Sequence, residues 1–493
     1  MDQAMKNENI RVKLKGKEEP KEKKLGLGLL IALGVGSMIG GGVFNSPTDL
    51  ITVANPQAIL LSWGIGGIGV LALALIFQLL ANRRPELEGG IYSHARAGYG
   101  DFMGFISAWG YWTSGVLGNV AFFTLIIKTL NSLFGPQYQL RPFVAFIIAS
   151  IILWMVVFIQ TRGTKNVGVI NAIVTVAKLI PLTLVVLLGF FIFKSELFAV
   201  EHWKTTLASV PEPGGAATTL GSQINGAMGV ILWCFIGVEA STVLAEKAVS
   251  QRIVGKATVI SLLFTLGVYI AISAVAMGAI PAEQLAQSGT PLATVLGSTV
   301  IGDAGAVIVK TGILISVLGA LISWVLIASQ LPYIAAKEGV MPKMFVKTNK
   351  LGAPVSALFL TNGIAQVFLL VLLSSKLQYI YNMVLLLATT CILVPYLLSA
   401  LYSVKVCRQD QLNAKSLMIS IVGVVYSIYV ILAVGIVYLA ASFVIYALGM
   451  LAFVKAKKEQ KQKITKTEWT GITIVSALGI VMTILLSTGA IAI

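Results

Sequence analysis

Glycines cluster at one point of a long apolar stretch near the start of the chain. Residues 25–53 could cross a bilayer, which takes roughly 20 residues, yet Gly36, Gly40, Gly41 and Gly42 fall within seven residues at the middle. Glycine weakens a helix, and hydrocarbon offers no partner to backbone groups. The cluster therefore indicates a helix that unwinds and presents N–H and C=O groups to a polar ligand. Close helix packing through small residues is the alternative.

A second interrupted apolar stretch begins near residue 220. Residues 221–240 contain several glycines and, deep in the segment, the carboxylate of Glu239. Two interrupted membrane helices in corresponding halves of a chain mark the binding site of a secondary transporter. Glu239 is therefore a candidate coupling residue. Alternatively, it pairs with a polar group and only stabilises the helix bundle.

A lone amine lies deep in another apolar segment. Lys178 is about 11 residues into the stretch 167–193, too deep for its ammonium to reach the membrane surface easily. Ionisable groups inside a membrane are costly and mark functional sites. Lys178 is thus the second candidate for coupling, and an ion pair without a role in transport is the alternative.

Two further segments carry residues that could hold a small polar molecule. In residues 102–132, one helical face combines small, amide and aromatic side chains: Tyr111, Ser114, Gly115, Gly118, Asn119 and Phe122. Trp233 and Trp324 lie within apolar segments, although tryptophan prefers membrane interfaces and its ring face attracts cations. Packing against a neighbouring helix is the alternative for each of these residues.

The elements that must position these residues are membrane helices. Of 493 residues, 57% are hydrophobic and 11% are charged, against about a quarter charged in soluble domains. The sequence predicts an all-α polytopic membrane protein. Its thirteen predicted spans are 26–52, 57–81, 102–132, 142–160, 167–193, 219–245, 257–280, 305–334, 354–374, 378–403, 416–435, 436–454 and 470–491. The last of them could instead lie at the membrane surface.

Basic residues set the predicted orientation. With a cytoplasmic N-terminus, 29 of the 36 Lys and Arg lie in the N-terminal segment and the cytoplasmic loops, as the positive-inside rule requires. Residues 1–24 then form a cytoplasmic basic tail and lack the apolar core of a signal peptide. Because the net charge of +16 belongs to this asymmetry, the expected partner is the lipid bilayer and no nucleic acid.

The two breaks lie in the first and sixth spans, which run in opposite directions. Residues 25–193 and 219–403 would therefore be two inverted repeats, a LeuT-like 5+5 arrangement with discontinuous helices 1 and 6. Residues 416–493 would add two or three transmembrane helices. The three cysteines and two histidines show no metal-ligand spacing, so no metal or cofactor is expected.

In its motifs the chain resembles the amino acid–polyamine–organocation superfamily. Within it, the chain is similar to the basic amino acid/polyamine antiporters, and most of all to arginine/ornithine antiporters. The resemblance covers residues 25 to about 455. It is carried by GSMIGGGVF at 36–44, PELEGGIY at 85–92, WGYW at 109–112, GN at 118–119 and WCFIGVE at 233–239.

The resemblance implies that an amino acid binds between the two breaks. Its carboxylate would meet the backbone N–H groups of Gly41 and Gly42, at the N-terminus of a half-helix. Its α-ammonium would meet backbone carbonyls of Met38, Trp233 and Ile236. Arginine/agmatine exchangers have a serine at the position of Gly41, so this chain lacks one side-chain hydrogen bond to the carboxylate.

The resemblance also implies which residues surround the rest of the substrate. Its cationic side chain would lie against Trp233 and Trp324, and Asn119 would hydrogen-bond the cationic head. The wall would be completed by Tyr111, Ser114, Gly115 and Phe122.

The same resemblance implies a coupling role for the two buried charges. Glu239 would be the nearest fixed negative charge. Lys178 would take the place that a sodium ion holds in other members of the superfamily, which predicts sodium independence. The sequence leaves open whether Lys178 stays charged or releases its proton during the cycle.

The leading hypothesis is an antiporter in the cell membrane, bacterial by resemblance. It would exchange a cationic amino acid, arginine, for a related amino acid or amine, ornithine, by alternating access. A proton-coupled amino acid importer and an amino acid sensor on a transporter fold are the alternatives. The sequence shows no nucleophile–base pair that would indicate an enzyme. It also shows no filter-like loop that would indicate a channel. A homodimer is left open.

Overall fold

The computed structural model describes residues 26–87, 89–134, 138–162, 167–198, 219–239, 249–374 and 376–490. Every regular element within these ranges is a helix, which confirms the prediction of an all-α protein. The predicted basic tail, residues 1–24, lies outside the described residues.

The helices follow the predicted apolar segments in chain order. Those of the first half are α1 (Leu27–Met38), α2 (Gly42–Ile51), α3 (Pro56–Arg83), α4 (Ile91–Tyr99), α5 (Asp101–Leu133), α6 (Pro142–Thr161), α7 (Val167–Phe191) and α8 (Ser195–Phe198). The second half has α9 (Leu220–Phe235), α10 (Gln251–Ala279), α11 (Ala282–Gln287), α12 (Pro291–Gly297), α13 (Gly302–Lys337), α14 (Val355–Phe368) and α15 (Leu377–Gln409). The C-terminal helices are α16 (Ala414–Ala433), α17 (Ile436–Glu459) and α18 (Lys466–Ser487).

The described residues contain one membrane-spanning helix fewer than the thirteen spans predicted from the sequence. Among the described residues, 11 helices are long and apolar enough to cross a membrane, and the bent pair α1–α2 adds a twelfth. The shorter α9, of 16 residues, covers the start of the predicted sixth span, whose residues 240–245 lie outside the described part of the chain. The eleventh and twelfth spans are separated at Gly435, whose φ of 104° interrupts the helix.

The first span is broken where the glycines cluster. α1 ends at Met38, α2 begins at Gly42, and the two helices meet at an angle of 43°. α9 likewise ends at Phe235, just before Gly237, which has a φ of 104°. That conformation favours glycine, and a Cβ at Gly237 would lie only 2.8 Å from the Ser37 carbonyl oxygen.

Ser37 holds the two breaks together. Its hydroxyl lies 2.9 Å from the Gly237 carbonyl and 2.9 Å from the Gly34 carbonyl. The first contact joins the broken first span to the segment that follows α9. The break in the first span therefore lies against the end of α9, as the transporter interpretation requires.

Two helices form the interior of the bundle. In an apolar stretch of 18 residues, 78% of the residues of α5 and 72% of those of α15 are buried. In α18 the share is 11%. α5 and α15 therefore carry side chains into the centre, while α18 presents most of its apolar surface outward. Residues on α5 and α15 can thus reach both breaks.

An ion-pair network joins helix ends that the sequence assigns to one side of the membrane. Lys457 lies 2.9 Å from Asp101 and 2.9 Å from Glu468. Arg96 lies 2.9 Å from Asp101 and 3.1 Å from Glu338. The five residues come from α4, α5, α17, α18 and the end of α13. All five ends were predicted to be cytoplasmic, so the grouping agrees with the predicted alternation of spans.

Candidate functional site

A cavity lies between the two breaks and is closed by helices α5, α9 and α13. Nine of the eleven predicted substrate-binding residues line it: Met38, Gly41, Gly42, Ser114, Gly115, Phe122, Trp233, Ile236 and Trp324. Three residues that the sequence did not assign to the substrate also line it, namely Ser37, Gly40 and Gly118. The fold thus brings most of the predicted site into one place.

The cavity is narrow in this conformation. About 30 Å³ is open to the centres of water molecules, which is room for only a few waters. Trp233 and Trp324 are 8% and 9% exposed. An amino acid larger than this space therefore requires side chains around the cavity to move when it enters.

The N-terminus of α2 forms the part of the cavity suited to an anion. Gly41 is the N-cap of α2, and the first N–H groups of a helix have no acceptor within the helix. A Cβ at Gly41 would lie 2.8 Å from Leu125 Cδ2, and one at Gly42 would lie 3.0 Å from Cys234 Sγ. The absence of side chains at these two positions therefore keeps the amides of the helix start accessible to a carboxylate.

The carbonyl of Met38 is already occupied. It accepts the Gly40 N–H at 2.9 Å and the Tyr269 hydroxyl at 2.9 Å. The Tyr269 hydroxyl also lies 2.8 Å from the Cys234 carbonyl. A substrate ammonium at Met38 would have to displace one of these donors. Tyr269, on α10, links the ends of both broken helices, and no sequence feature distinguished it from a core tyrosine.

Aromatic rings form the opposite wall of the cavity. Phe122 packs on Trp233, with ring centroids 6.0 Å apart. A Cβ at Gly118 would lie 3.2 Å from the Trp233 ring, so the missing side chain makes room for the indole. Trp324 stacks on Tyr111, with the ring centroids 6.5 Å apart and an angle of 27° between the ring planes. Two indole rings are thereby held beside the helix N-terminus.

Tyr111 lies behind this wall, since it is not among the residues that line the cavity. Its hydroxyl donates to Glu239 Oε1 at 2.8 Å. The Tyr396 hydroxyl donates to Glu239 Oε2 at 2.8 Å, and the Gly237 N–H donates to the same oxygen at 3.1 Å. Glu239 thus fastens α5 and α15 to the break after α9 and does not face the cavity. These contacts fit the alternative in which Glu239 stabilises the bundle.

Asn119 is also absent from the cavity lining. It is 1% exposed, and neither its Nδ2 nor its Oδ1 has a hydrogen-bond partner. Buried amides without partners are rare and costly. Asn119 directly follows Gly118, which lines the cavity, so a polar group that reached it would satisfy an unpaired amide.

Lys178 contacts the first break from α7. Its ammonium donates to the Gly36 carbonyl at 2.6 Å and to the Ile39 carbonyl. The Ser316 hydroxyl of α13 lies 3.5 Å from the Gly40 carbonyl. Together with Tyr269 at Met38, one ammonium and two hydroxyls therefore occupy carbonyls of the unwound segment. Lys178 therefore joins α7 to the unwound end of α1.

Comparisons with known proteins extend over most of the chain. The model of a family described as amino acid permease matches residues 25–475. An arginine/ornithine antiporter from Pseudomonas aeruginosa is 39% identical over 91% of this chain and 93% of its own length. One from Latilactobacillus sakei is 35% identical over 93% of this chain and 96% of its own.

Two further comparisons bear on substrate and fold. An arginine/agmatine antiporter from Chlamydia pneumoniae is 34% identical over 95% of this chain and 98% of its own length. Among solved structures, an outward-open Na+-coupled sialic acid symporter aligns with a TM-score of 0.53 and 13% identity, over 86% of this chain and 92% of that one. At this identity the likeness concerns the fold alone.

Proposed function

The chain belongs to the amino acid permease family, and on that premise we propose that it is a membrane antiporter for cationic amino acids. It exchanges arginine for a related amino acid or amine, ornithine being the first candidate, by alternating access. The observation that carries the proposal is the cavity between the two broken helices, which combines a helix N-terminus with two indole rings. The names of the relatives support the substrate pair.

The two ends of the cavity match the two ends of arginine. The carboxylate binds the N–H groups at the start of α2, where Gly41 and Gly42 leave room for it. The guanidinium lies against the faces of Trp233 and Trp324, which attract cations most strongly when water is excluded. The unpaired amide of Asn119 accepts or donates a hydrogen bond at the cationic head. Ornithine has the same backbone groups and the same charge, so it uses the same contacts.

Exchange follows from the way the two breaks are held. Lys178, Ser37 and Tyr269 tie the unwound segments to neighbouring helices. Opening the cavity to either side must rearrange these contacts. Bound substrate offsets the cost of that rearrangement, so the empty protein crosses between its two states slowly. Swapping arginine for ornithine moves no net charge, because both are monovalent cations at neutral pH.

A proton-coupled importer is the second candidate, and Lys178 is the observation that favours it. A buried amine can release its proton, because burial disfavours the charged form. An exchanger needs substrate on both sides of the membrane, whereas an importer runs on a pH gradient into empty vesicles. Uptake into liposomes with and without internal substrate therefore separates the two functions.

The setting we propose is a bacterial cell membrane with the N-terminus in the cytoplasm. The relatives compared above come from bacteria, and the distribution of Lys and Arg supports the orientation. Sodium independence is proposed because the Lys178 ammonium already supplies a positive charge at the first break.

Replacing Trp324 with leucine is expected to weaken binding of arginine and ornithine roughly 30-fold. A cation–π contact in a site without water contributes about 2 kcal/mol, and leucine removes the ring while filling much of its volume. Affinity is measured by calorimetry on the purified protein, and folding by thermal unfolding. Trp469, which is 50% exposed, provides the control variant W469L. Unchanged affinity in folded W324L would show that the indole only packs.

A further inference from the structure

A second group of buried polar residues lies along α2 beyond the cavity. We call it the outer cluster: Asn45 and Asp49 on α2, Lys128 on α5, and Gln378 and Tyr381 on α15. Asp49 is 3% and Lys128 is 7% exposed. Burial of two opposite charges in an apolar protein is costly unless their geometry is good. The cluster therefore needs an explanation that packing alone does not supply.

Two amides connect the two charges. Asn45 donates from Nδ2 to Asp49 Oδ1 at 2.5 Å and accepts from Lys128 Nζ at 3.0 Å. Gln378 donates from Nε2 to Asp49 Oδ1 at 3.0 Å and accepts from the same ammonium. Each amide thus turns its NH2 to the carboxylate and its oxygen to the ammonium. The arrangement joins α2, α5 and α15 at one end of the bundle.

The groups around the Lys128 ammonium are those that bind an organic cation. The amide oxygens of Asn45 and Gln378 accept from it, and its Nζ lies 5.1 Å from the centroid of the Tyr381 ring. The Asp49 carboxylate accepts from the NH2 groups of the same two amides. Only Oδ1 of the Asp49 carboxylate accepts hydrogen bonds, because Oδ2 has no hydrogen-bond partner. The buried Tyr381 hydroxyl has none either. Lys128 therefore occupies a cation site that has unused acceptor capacity.

The outer cluster continues the face of α2 that borders the cavity. Asn45 is four residues after Gly41, and Asp49 is four residues after Asn45, so the three positions follow one another along one side of the helix. This row runs from the proposed carboxylate site towards the end of α2 at Ile51. A molecule that moves between the cavity and that end of the bundle passes the cluster.

We propose that the outer cluster is a second binding site for the cationic head of the substrate, on the route between the cavity and the end of α2. Lys128 holds the site when no substrate is there, and an arriving guanidinium or ammonium takes its place at the amide oxygens and at Asp49 Oδ2. The inference rests on the proposed function, because it takes a cationic amino acid as substrate.

Exchange of one cation for another keeps the buried charges balanced. The long, flexible side chain of Lys128 can withdraw, and the incoming cation then compensates Asp49. A neutral amino acid cannot do this, since its ammonium arrives with a carboxylate and adds no net positive charge to balance Asp49. The cluster therefore selects for positive charge before the substrate reaches the cavity. With the N-terminus in the cytoplasm, the end of α2 is external, and selection acts on external substrate.

The test compares the variants D49N, K128M and the double variant D49N/K128M. The KM for arginine is measured in right-side-out and inside-out membrane vesicles, which present opposite faces of the protein. D49N is expected to raise the KM at least about tenfold on the face where α2 ends, because a charge-assisted contact is lost. K128M is expected to lower that KM, since it leaves the site vacant. The KM on the other face should stay within twofold for both.

The double variant separates this site from a structural ion pair. It removes both charges together, so its folding should be close to that of the wild type, and its KM on the α2 face should stay as high as in D49N. Wild-type KM in the double variant, or equal changes on both faces, would overturn the proposal. K310M is the matched control, because Lys310 lies at the same end of the bundle and contacts the Ser132 carbonyl outside the cluster.

Failure of this inference is distinct from failure of the proposed function. Wild-type vesicles are first tested for exchange of labelled arginine against ornithine on both faces. Absence of that exchange would contradict the proposed function. Exchange in the wild type together with the same arginine KM in all three variants would contradict the second site alone.

Discussion

Replacing Gly41 with valine is expected to abolish exchange while the protein still inserts and folds. The backbone of Gly41 has φ −74° and ψ −28°, which valine can adopt without strain. A Cβ there would lie 2.8 Å from Leu125 Cδ2 and 3.3 Å from Phe122 Cδ1. Two flexible side chains must shift, and the added methyl groups then occupy the narrow space above the start of α2. The substrate carboxylate can no longer approach the amides of Gly41 and Gly42.

The measurement is counterflow of labelled arginine, with membrane insertion and thermal unfolding measured on the same preparation. G64V is the control, because a Cβ at Gly64 would meet nothing within 4 Å. Normal transport by G41V would mean that the glycines serve helix packing. Agmatine tests the same contact by a change in the substrate, because agmatine has no carboxylate. Transport of agmatine as fast as that of arginine would argue against recognition through the carboxylate.

Replacing Lys178 with methionine is expected to stop exchange in both directions. The ammonium donates to the Gly36 and Ile39 carbonyls, and hydrogen bonds to a charged group contribute about 1.5–3 kcal/mol each. Losing both leaves two buried acceptors unpaired and shifts the balance between conformations by roughly 100-fold or more. K178R should keep partial activity only if the space beside α1 admits the larger guanidinium.

Two assays on K178M distinguish a fixed charge from a proton carrier. If Lys178 only holds α1 to α7, counterflow and uptake driven by a pH gradient are both lost. If Lys178 carries a proton, the gradient-driven uptake is lost and counterflow remains. Intact counterflow would therefore contradict the structural role. Wild-type behaviour in both assays would show that Lys178 takes no part in the cycle.

The sequence predicted the helices well because length and hydropathy decide them. Eleven of the thirteen predicted spans coincide with long apolar helices, since a bilayer demands apolar segments of one length. The first span is divided into α1 and α2, and the sixth is matched over its first part by α9. The break at Gly40 and Gly41 was also predictable, because four glycines in seven residues cannot continue a stable helix at no cost. The bend of 43° occurs at that point.

The depth of each side chain around the cavity was less predictable. Tyr111 and Asn119 lie on the same helical face as Ser114 and Phe122, so periodicity grouped all four. The structure places only Ser114 and Phe122 at the cavity. How far a residue lies from a cavity depends on the neighbouring helices, here on the Trp324 ring that covers Tyr111. Helical periodicity shows which residues share a face of a helix, but not how far each of them lies from the cavity.

The outer cluster was not predicted from the sequence, for a different reason. Asp49, Lys128 and Gln378 belong to three spans far apart in the chain, and only the fold brings them together. Asp49 was the available signal, because a carboxylate within the first apolar run is as costly inside a membrane as Glu239. Lys128 lies near the end of the span predicted at 102–132, yet it is buried beside Asn45.

The most direct test of the account is uptake of labelled arginine by the purified protein in liposomes preloaded with ornithine, lysine, agmatine, histidine or nothing. Rapid uptake is expected into ornithine-loaded liposomes without sodium or a pH gradient. No uptake above the protein-free control is expected into liposomes that contain no substrate. Uptake that is equally fast into empty liposomes, or absent with every internal substrate, would contradict exchange of cationic amino acids as the function of this protein.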